Sequence, residues 1–257
     1  HKLLEKEFQA DGIKINWNNM GTSPQAARAM GSGSLDIAGN MNTAALLMLN
    51  SEGLPVRVVT GTAHPTSNFA IVSKPGTELS VRDLKGKQVV GPKGTFLHQL
   101  LVAALEKEGM KESDVQFINR SIPKALSTIL AGHADAALVA SSALIKANKA
   151  GAKTIINAEG LVEPTLVMTT TKQFVEEHLD IVKRVDKVYA ESLQWMKDHP
   201  AETAEMGAKE HGISVEDAKT LMERSHYFDK MTTKDLEDLK VNQKFLRDNG
   251  MMRNEVT

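Results

Sequence analysis

Ile122-Pro123-Lys124-Ala125-Leu126, followed after an apolar helical run by Gly132-His133-Ala134-Asp135-Ala136-Ala137-Leu138, decides the fold, because the chain has already used this pattern once. Ser23-Pro24-Gln25-Ala26-Ala27 leads in the same way to Gly33-Ser34-Leu35-Asp36-Ile37-Ala38-Gly39, and Pro24, Gly33 and Asp36 each stand 99 positions before Pro123, Gly132 and Asp135. In both copies a proline opens a helix, where its missing N–H is no loss, and a glycine ends it. An Asp then takes the turn, and a short apolar run reads as a buried strand. The expected fold class is α/β, with two lobes, each a mostly parallel sheet flanked by helices. Two lobes in one chain leave a cleft between them, a natural place to enclose a small molecule.

Outward from the repeat, the segment from His1 to Phe8 reads as the end of an amphipathic helix, stopped at Gly12. Ile13, Ile15 and Trp17 alternate as a half-buried strand. Ser23 reads as a helix cap. Val56 to Thr60 and Phe69 to Val72 read as strands on either side of a loop containing His64, and Lys74-Pro75-Gly76 is a turn. Strands are then expected at Gln88 to Val90, Val115 to Ile118, Ala136 to Val139 and Thr154 to Ile156, with helices between them. After Thr171 the pattern is helical throughout, and this tail is expected to pack on one lobe.

The 257 residues suffice for one large domain or two ordinary ones. A hydrophobic content of 41% with 25% charged residues is that of a globular chain. The net charge of −1 lacks the basic footprint of a nucleic-acid binder, so no nucleic-acid partner is expected. No apolar run approaches the roughly 18 residues that suggest a membrane span. With no cysteine, disulfides, thiolate metal sites and a cysteine nucleophile are excluded.

Three strands run straight into helix starts: Ile37 to Thr43, Val89 to Phe96, and Leu138 to Ser142. Ligands of open α/β sheets collect beyond the carboxyl ends of strands, and helix N-termini favour anions through unpaired N–H groups. The candidate ligand-binding residues are therefore Asn40, Met41, Asn42 and Thr43, then Lys93, Gly94, Thr95 and Phe96, and finally Ser141 and Ser142. His98 sits one turn beyond the Gly94 loop, and His64 lies in the loop after the strand Val56 to Thr60; both join the list. Gly94 permits close backbone approach, the hydroxyls donate, and Lys93 supplies charge. The same Ser, Thr and Asn residues also suit plain helix capping, and Lys93 a solvated turn. The histidines lack metal-ligand spacing, so no metal or other cofactor is expected. Asp36 and Asp135 are expected to bond backbone N–H groups of their own turns rather than to form a catalytic pair. No nucleophile elbow, phosphate loop or dinucleotide fingerprint is present, and the chain reads as a non-enzyme.

Ser80-Val81-Arg82-Asp83-Leu84-Lys85-Gly86-Lys87-Gln88-Val89-Val90 resembles the segment that opens the second lobe of periplasmic substrate-binding proteins of ABC importers. Gly33 to Asp36, Lys93-Gly94-Thr95, Gly132 to Ala136 and Asp198-His199-Pro200-Ala201-Glu202 resemble the nitrate/sulfonate/taurine branch, in the expected order along almost the whole chain. The resemblance implies two lobes joined by two crossing strands, 1–70 with 171–257 and 71–170, closing on a ligand. It implies a small anion, foremost an organosulfonate, or nitrate, delivered to the membrane permease of an importer by a monomeric protein. It also implies a periplasmic or extracytoplasmic location. Family members normally begin with a strand and ligand-facing loop ahead of the helix that opens this sequence, and a membrane anchor there is compatible with it. They often carry a bulky residue where this chain has Ala140-Ser141-Ser142, so a roomier or more polar wall is expected. The alternatives are a thiamine-precursor-like pyrimidine as ligand and the effector lobes of a transcription regulator. A fungal pyrimidine-precursor synthase shares the fold but carries a cysteine-rich iron motif that this chain lacks.

Overall fold

Two sheets organise the computed structural model, which describes residues 2–256; His1 and Thr257 lie outside the described residues. The strands are β1 (Ile37–Asn42), β2 (Val56–Ala63), β3 (Phe69–Ser73), β4 (Gln88–Gly91), β5 (Gln116–Asn119), β6 (Ala136–Ala140), β7 (Thr154–Asn157) and β8 (Leu166–Thr171). The first half contributes helices α1 (Leu3–Phe8), α2 (Ser23–Gly31), α3 (Thr43–Ser51), α4 (Phe96–Lys107), α5 (Ile122–Leu130) and α6 (Ser142–Lys149). The tail adds α7 (Lys172–Glu177), α8 (Leu179–Asp198), α9 (Pro200–His211), α10 (Val215–Ser225) and α11 (Thr233–Asp248).

The larger sheet has the order β5-β4-β6-β3-β7 and the smaller β1-β8-β2. β4 runs parallel to β5 and β6, because α4 and α5 carry the chain back between them. β3 is antiparallel to β6 and β7, and β8 is antiparallel to both β1 and β2. The mostly parallel character expected of each lobe thus holds only at β4, β5 and β6. β8 returns from the larger sheet and enters the smaller one reversed, so that sheet has no parallel ladder among the described residues. Residues 64–68 and 158–165 are the two connections between the sheets.

Side-chain alternation fills both faces of the larger sheet. Ile71, Val89, Ala136 and Leu138 face the cluster built on Phe96, Leu97, Leu100, Leu101 and Leu105 of α4. Ala70, Val72, Val90, Ala137 and Val139 face Ala125 and Ile129 of α5 and Leu144 of α6. Covered on both sides, these strands read as continuous apolar runs. Each fully buried Leu or Ile contributes about 1.5–3 kcal/mol relative to exposure.

Three expectations change. Ile13 to Trp17 forms no strand: alternation needs a neighbouring strand to bond with, and none lies beside it among the described residues. Trp17 is 71% exposed and donates its indole N–H to Glu5 Oε1 at 2.9 Å. The cap of α2 is Thr22, which accepts the Gln25 N–H, while Ser23 Oγ accepts the N–H of Asn42 at 3.1 Å. The tail touches elements of both sheets rather than one. Arg184 of α8 bonds Glu7 and Asp11 and covers the Phe8 ring, beside the smaller sheet. Leu246 of α11 completes the α4 cluster, and the Lys146 and Lys149 ammonium groups of α6 find His211 O and Asp217 on the α9–α10 hairpin. Among the described residues no helix is long and apolar enough to cross a membrane.

Candidate functional site

β4 and β6 are adjacent and parallel, so their carboxyl ends lie side by side and start α4 and α6 at the same edge. α3 meets them from the smaller sheet: a Cβ on Gly94 would stand 3.5 Å from Met48 Cε, and Ala44 and Leu47 share a cluster with Phe96 and Leu97. The three strand-to-helix junctions are thereby brought together.

At the first junction Asn42 caps α3, its side-chain oxygen accepting the Ala45 N–H at 2.8 Å. Thr43 follows with 0% exposure; its N–H donates to Thr165 O at 3.1 Å and its hydroxyl has no partner among the described residues. Asn40 is exposed and its Oδ1 accepts the Thr62 hydroxyl. Met41 belongs to the core with Ala26, Met30 and Val167, and its sulfur is approached by the Thr169 hydroxyl. The structure thus gives Met41 a packing role.

At the second junction Gly94 adopts φ 72, the left-handed region that suits glycine, and donates its N–H to His98 Nδ1 at 3.3 Å. That leaves the His98 proton on Nε2, which meets Glu112 Oε2 at 2.9 Å while the ring stacks on Phe117. Burial holds the His98 imidazole below its ordinary value, and Glu112 opposes this only in part. Both ring nitrogens are engaged, so His98 props the loop from beneath instead of facing the junction. The Thr95 hydroxyl donates to Pro92 O at 2.9 Å and does not cap α4. Phe96 is core, edge-on to Phe69. Lys93 is exposed, its backbone N–H held by Asn119 Oδ1.

At the third junction Ser141 has φ 53 and ψ −127, a sparsely populated conformation for a residue with a side chain, and donates its N–H to Asn68 O at 2.8 Å. The Ser141 side chain does not cap α6. Ser142 opens the helix, half-buried.

His64 stands in the first connection, stacked on Phe228, with Nε2 3.0 Å from Asp235 Oδ1 and Nδ1 3.4 Å from the Thr165 hydroxyl of the second connection. Thr165, Asp235 and Asn68 are the partners that sequence reading missed. Thr232 followed three residues later by Asp235 carries the signal of a capping box, which the pair does form; nothing local shows that the other oxygen of Asp235 reaches His64. Asp135 bonds the N–H of Gln88 on the neighbouring strand rather than its own turn, and at Asp36 it is the carbonyl that is bonded, by the Thr170 hydroxyl. No cluster of three metal-ligating side chains occurs among the described residues. Two cavities lie away from the junctions: one of about 370 Å³ at the opposite end of the smaller sheet, beside Asp36, Pro55 and Phe174, and one of about 310 Å³ behind the connections.

Comparison with known proteins agrees with this architecture. The alkanesulfonate-binding protein SsuA of Xanthomonas axonopodis pv. citri, solved bound to MOPS, superposes with a TM-score of 0.86 at 20% identity, covering 100% of this chain and 89% of that one. The periplasmic aliphatic sulphonate binding protein SsuA of Escherichia coli gives 0.80 at 20% identity, covering 100% and 88%. The fold is therefore that of these two-lobed periplasmic binding proteins. In sequence, the chain is 29% identical over 180 residues to the taurine-binding periplasmic protein of Escherichia coli K12, covering 68% of this chain and 55% of that protein. It is 26% identical over 208 residues to a putative aliphatic sulfonates-binding protein of Bacillus subtilis 168, covering 79% and 62%. The chain thus spans less than two thirds of the length of these curated relatives. The profile of the NMT1/THI5-like family matches residues 7–203, and the chain belongs to that family.

Proposed function

We propose that this protein captures a small organosulfonate or similar oxyanion where α3, α4 and α6 begin, and hands it to the membrane permease of an ABC importer. One observation carries the reading: α4 and α6 start side by side without side-chain caps, and the hydroxyl of Thr43 at the start of α3 is buried without a partner among the described residues. An uncapped helix leaves N–H groups of its first turn free and carries partial positive charge there, so two such ends suit one anion. Lys93 adds a full charge at the rim, and Ser141 and Ser142 add hydroxyls. Met41, Phe96 and His98 support these groups from the core rather than touching the ligand. The strain at Ser141 fits a site held in place by its surroundings. Relatives named for taurine and aliphatic sulfonates support the same ligand class, a binding role without turnover, and a periplasmic location.

In this reading residues 1–70 with 171–257 form one lobe and 71–170 the other, working as a monomer. α3 shares a buried cluster with α4 and its Met48 stands against Gly94, so in this reading ligand entry requires the two sheets to separate about the 64–68 and 158–165 connections. Isothermal titration with ethanesulfonate, taurine, nitrate and a neutral aminopyrimidine tests the proposal. Heat of binding for a sulfonate, weakened in Thr43→Val, is expected; binding of the pyrimidine alone would overturn it.

A further inference from the structure

The cavity of about 310 Å³ behind the connections has a wall chemistry distinct from the junctions. It is bounded by Ser67 of the first connection, Glu159 of the second, Asn148 of α6, Thr154 and Asn157 of β7, and Arg224 of α10. The site is open to solvent, and the exposed Arg224 guanidinium makes no hydrogen bond or ion pair among the described residues, leaving one solvated cation on the wall available to a ligand. Glu159 supplies the one anion. Its Oε1 accepts the Ser67 hydroxyl at 2.6 Å, which fixes the carboxylate and leaves its other oxygen available.

The two amides are oriented as well. Asn148 Oδ1 accepts the Thr154 hydroxyl at 3.4 Å, and Asn157 Oδ1 accepts the backbone N–H of Glu159 at 3.1 Å. With both oxygens engaged, both NH₂ groups remain as donors. The cavity therefore presents a guanidinium and two amide donors for an acid group, and one positioned carboxylate for an amine. A simple anion would use Arg224 alone and a simple cation Glu159 alone, with water left on the other exposed charge. Complementarity to both charges calls for a neutral molecule with its charges separated. The volume is several times the roughly 30 Å³ share of a water molecule and sits at the small end of ligand pockets.

We propose that this cavity is a second binding site, for a small zwitterion carrying an ammonium and an acid group on a short carbon chain. Arg224 with the Asn148 and Asn157 amides holds the acid group, and Glu159 holds the ammonium. Such a molecule would tie α10 to both connections between the sheets.

The test uses the whole chain and three probes built on the same three-carbon chain: β-alanine with both charges, propionate with only the acid, and propylamine with only the amine. Binding is read by ligand-observed NMR and by the shift in thermal midpoint. β-alanine is expected to bind at least roughly tenfold tighter than either single-charge probe. Arg224→Met and Glu159→Gln should each reduce it to the single-charge level, because Gln keeps an acceptor for Ser67 and Met keeps the aliphatic stem. Equal affinity for β-alanine and propionate would overturn the proposal. So would no β-alanine binding at about 10 mM. Binding lost in Thr43→Val but kept in Arg224→Met would place the zwitterion at the strand-to-helix junctions and equally overturn it.

Discussion

Thr43 is a β-branched residue at the first position of α3, with a hydroxyl that is sealed from solvent and bonded to nothing among the described residues. A buried hydroxyl without a partner costs free energy, about 1–3 kcal/mol on the scale of protein substitutions. Replacing it by the isosteric Val is therefore expected to leave the unliganded protein equally stable or up to about 1 kcal/mol more stable. If the hydroxyl donates to a bound sulfonate, the same change removes a hydrogen bond to a charged group, about 1.5–3 kcal/mol, or roughly ten- to a hundredfold in affinity. A melt beside a titration separates the roles: a lower midpoint with unchanged affinity would make Thr43 structural. His98 yields a second prediction. Its folded-state value is depressed by burial, so it stays neutral in the fold, and the unfolded chain binds more protons between the folded value and about 6.5. The stability it contributes is then present above about pH 6.5 and lost as pH falls toward the folded value. In NMR the His98 ring should titrate below about 6.5, and a midpoint at or above it would mean that Glu112 outweighs burial.

Between elements, α11 meets α4 through Leu246 in the apolar cluster and through one amide pair. Gln99 donates to Asn242 Oδ1 at 3.0 Å, while Gln99 Oε1 and Asn242 Nδ2 are buried without partners. Removing one side chain strands the other entirely, so Gln99→Leu should cost about 1–3 kcal/mol in denaturant melts. Replacing both by Leu should recover most of that loss, since two unpaired polar atoms leave with the bond. A double variant no better than the single would show that shape, not polarity, governs this contact. The helices of this region were legible in sequence, because Thr95, Ser142, Gly109 and Gly151 mark starts and stops by local chemistry. Pairing between elements was less so. Ile13 to Trp17 has the alternation of a strand and lacks only a neighbour, which no local pattern encodes. β8 reads as a strand from its own residues, but its direction is set by the chain's return from the larger sheet. Of the candidate site, the junctions at Thr43, Gly94, Thr95, Ser141 and Ser142 could be located because strand ends and helix starts are local features. Met41, Phe96 and His98 could not be told from ligand contacts, because which face of an element is buried depends on what packs against it.

Across the whole molecule, His64 joins parts that are far apart in the chain. It belongs to the first connection, faces Thr165 of the second, pairs with Asp235 of α11, and stacks at 4.3 Å on Phe228. Phe228 lies so close over Gly61 that a Cβ there would stand 2.0 Å from its ring, and its N–H donates to Thr62 O. The Tyr189 hydroxyl of α8 stands 3.1 Å from Thr62 O and 3.0 Å from Phe228 O, its one proton shared between the same pair of residues. The region between α10 and α11 is thus strapped along the strand that leads from the smaller sheet to the larger. His64 thus touches both connections, alongside the Ser67–Glu159 bond, and if the sheets part as proposed, this contact helps to set how easily they do. His64→Ala is expected to destabilise by about 1–3 kcal/mol, less than a fully stranded buried charge, because Asp235 keeps two bonds from Thr232. The loss should be local. Hydrogen exchange should quicken at residues 62–66, 163–166 and 226–229 while protection in β4 and β6 is unchanged. Asp235→Asn, which retains an oxygen to cap α11, should reproduce the quickening more weakly. A uniform rise in exchange across both sheets, or none at 163–166, would show that the connections are held by the ladders of β2 and β8 and that His64 is only a packed ring.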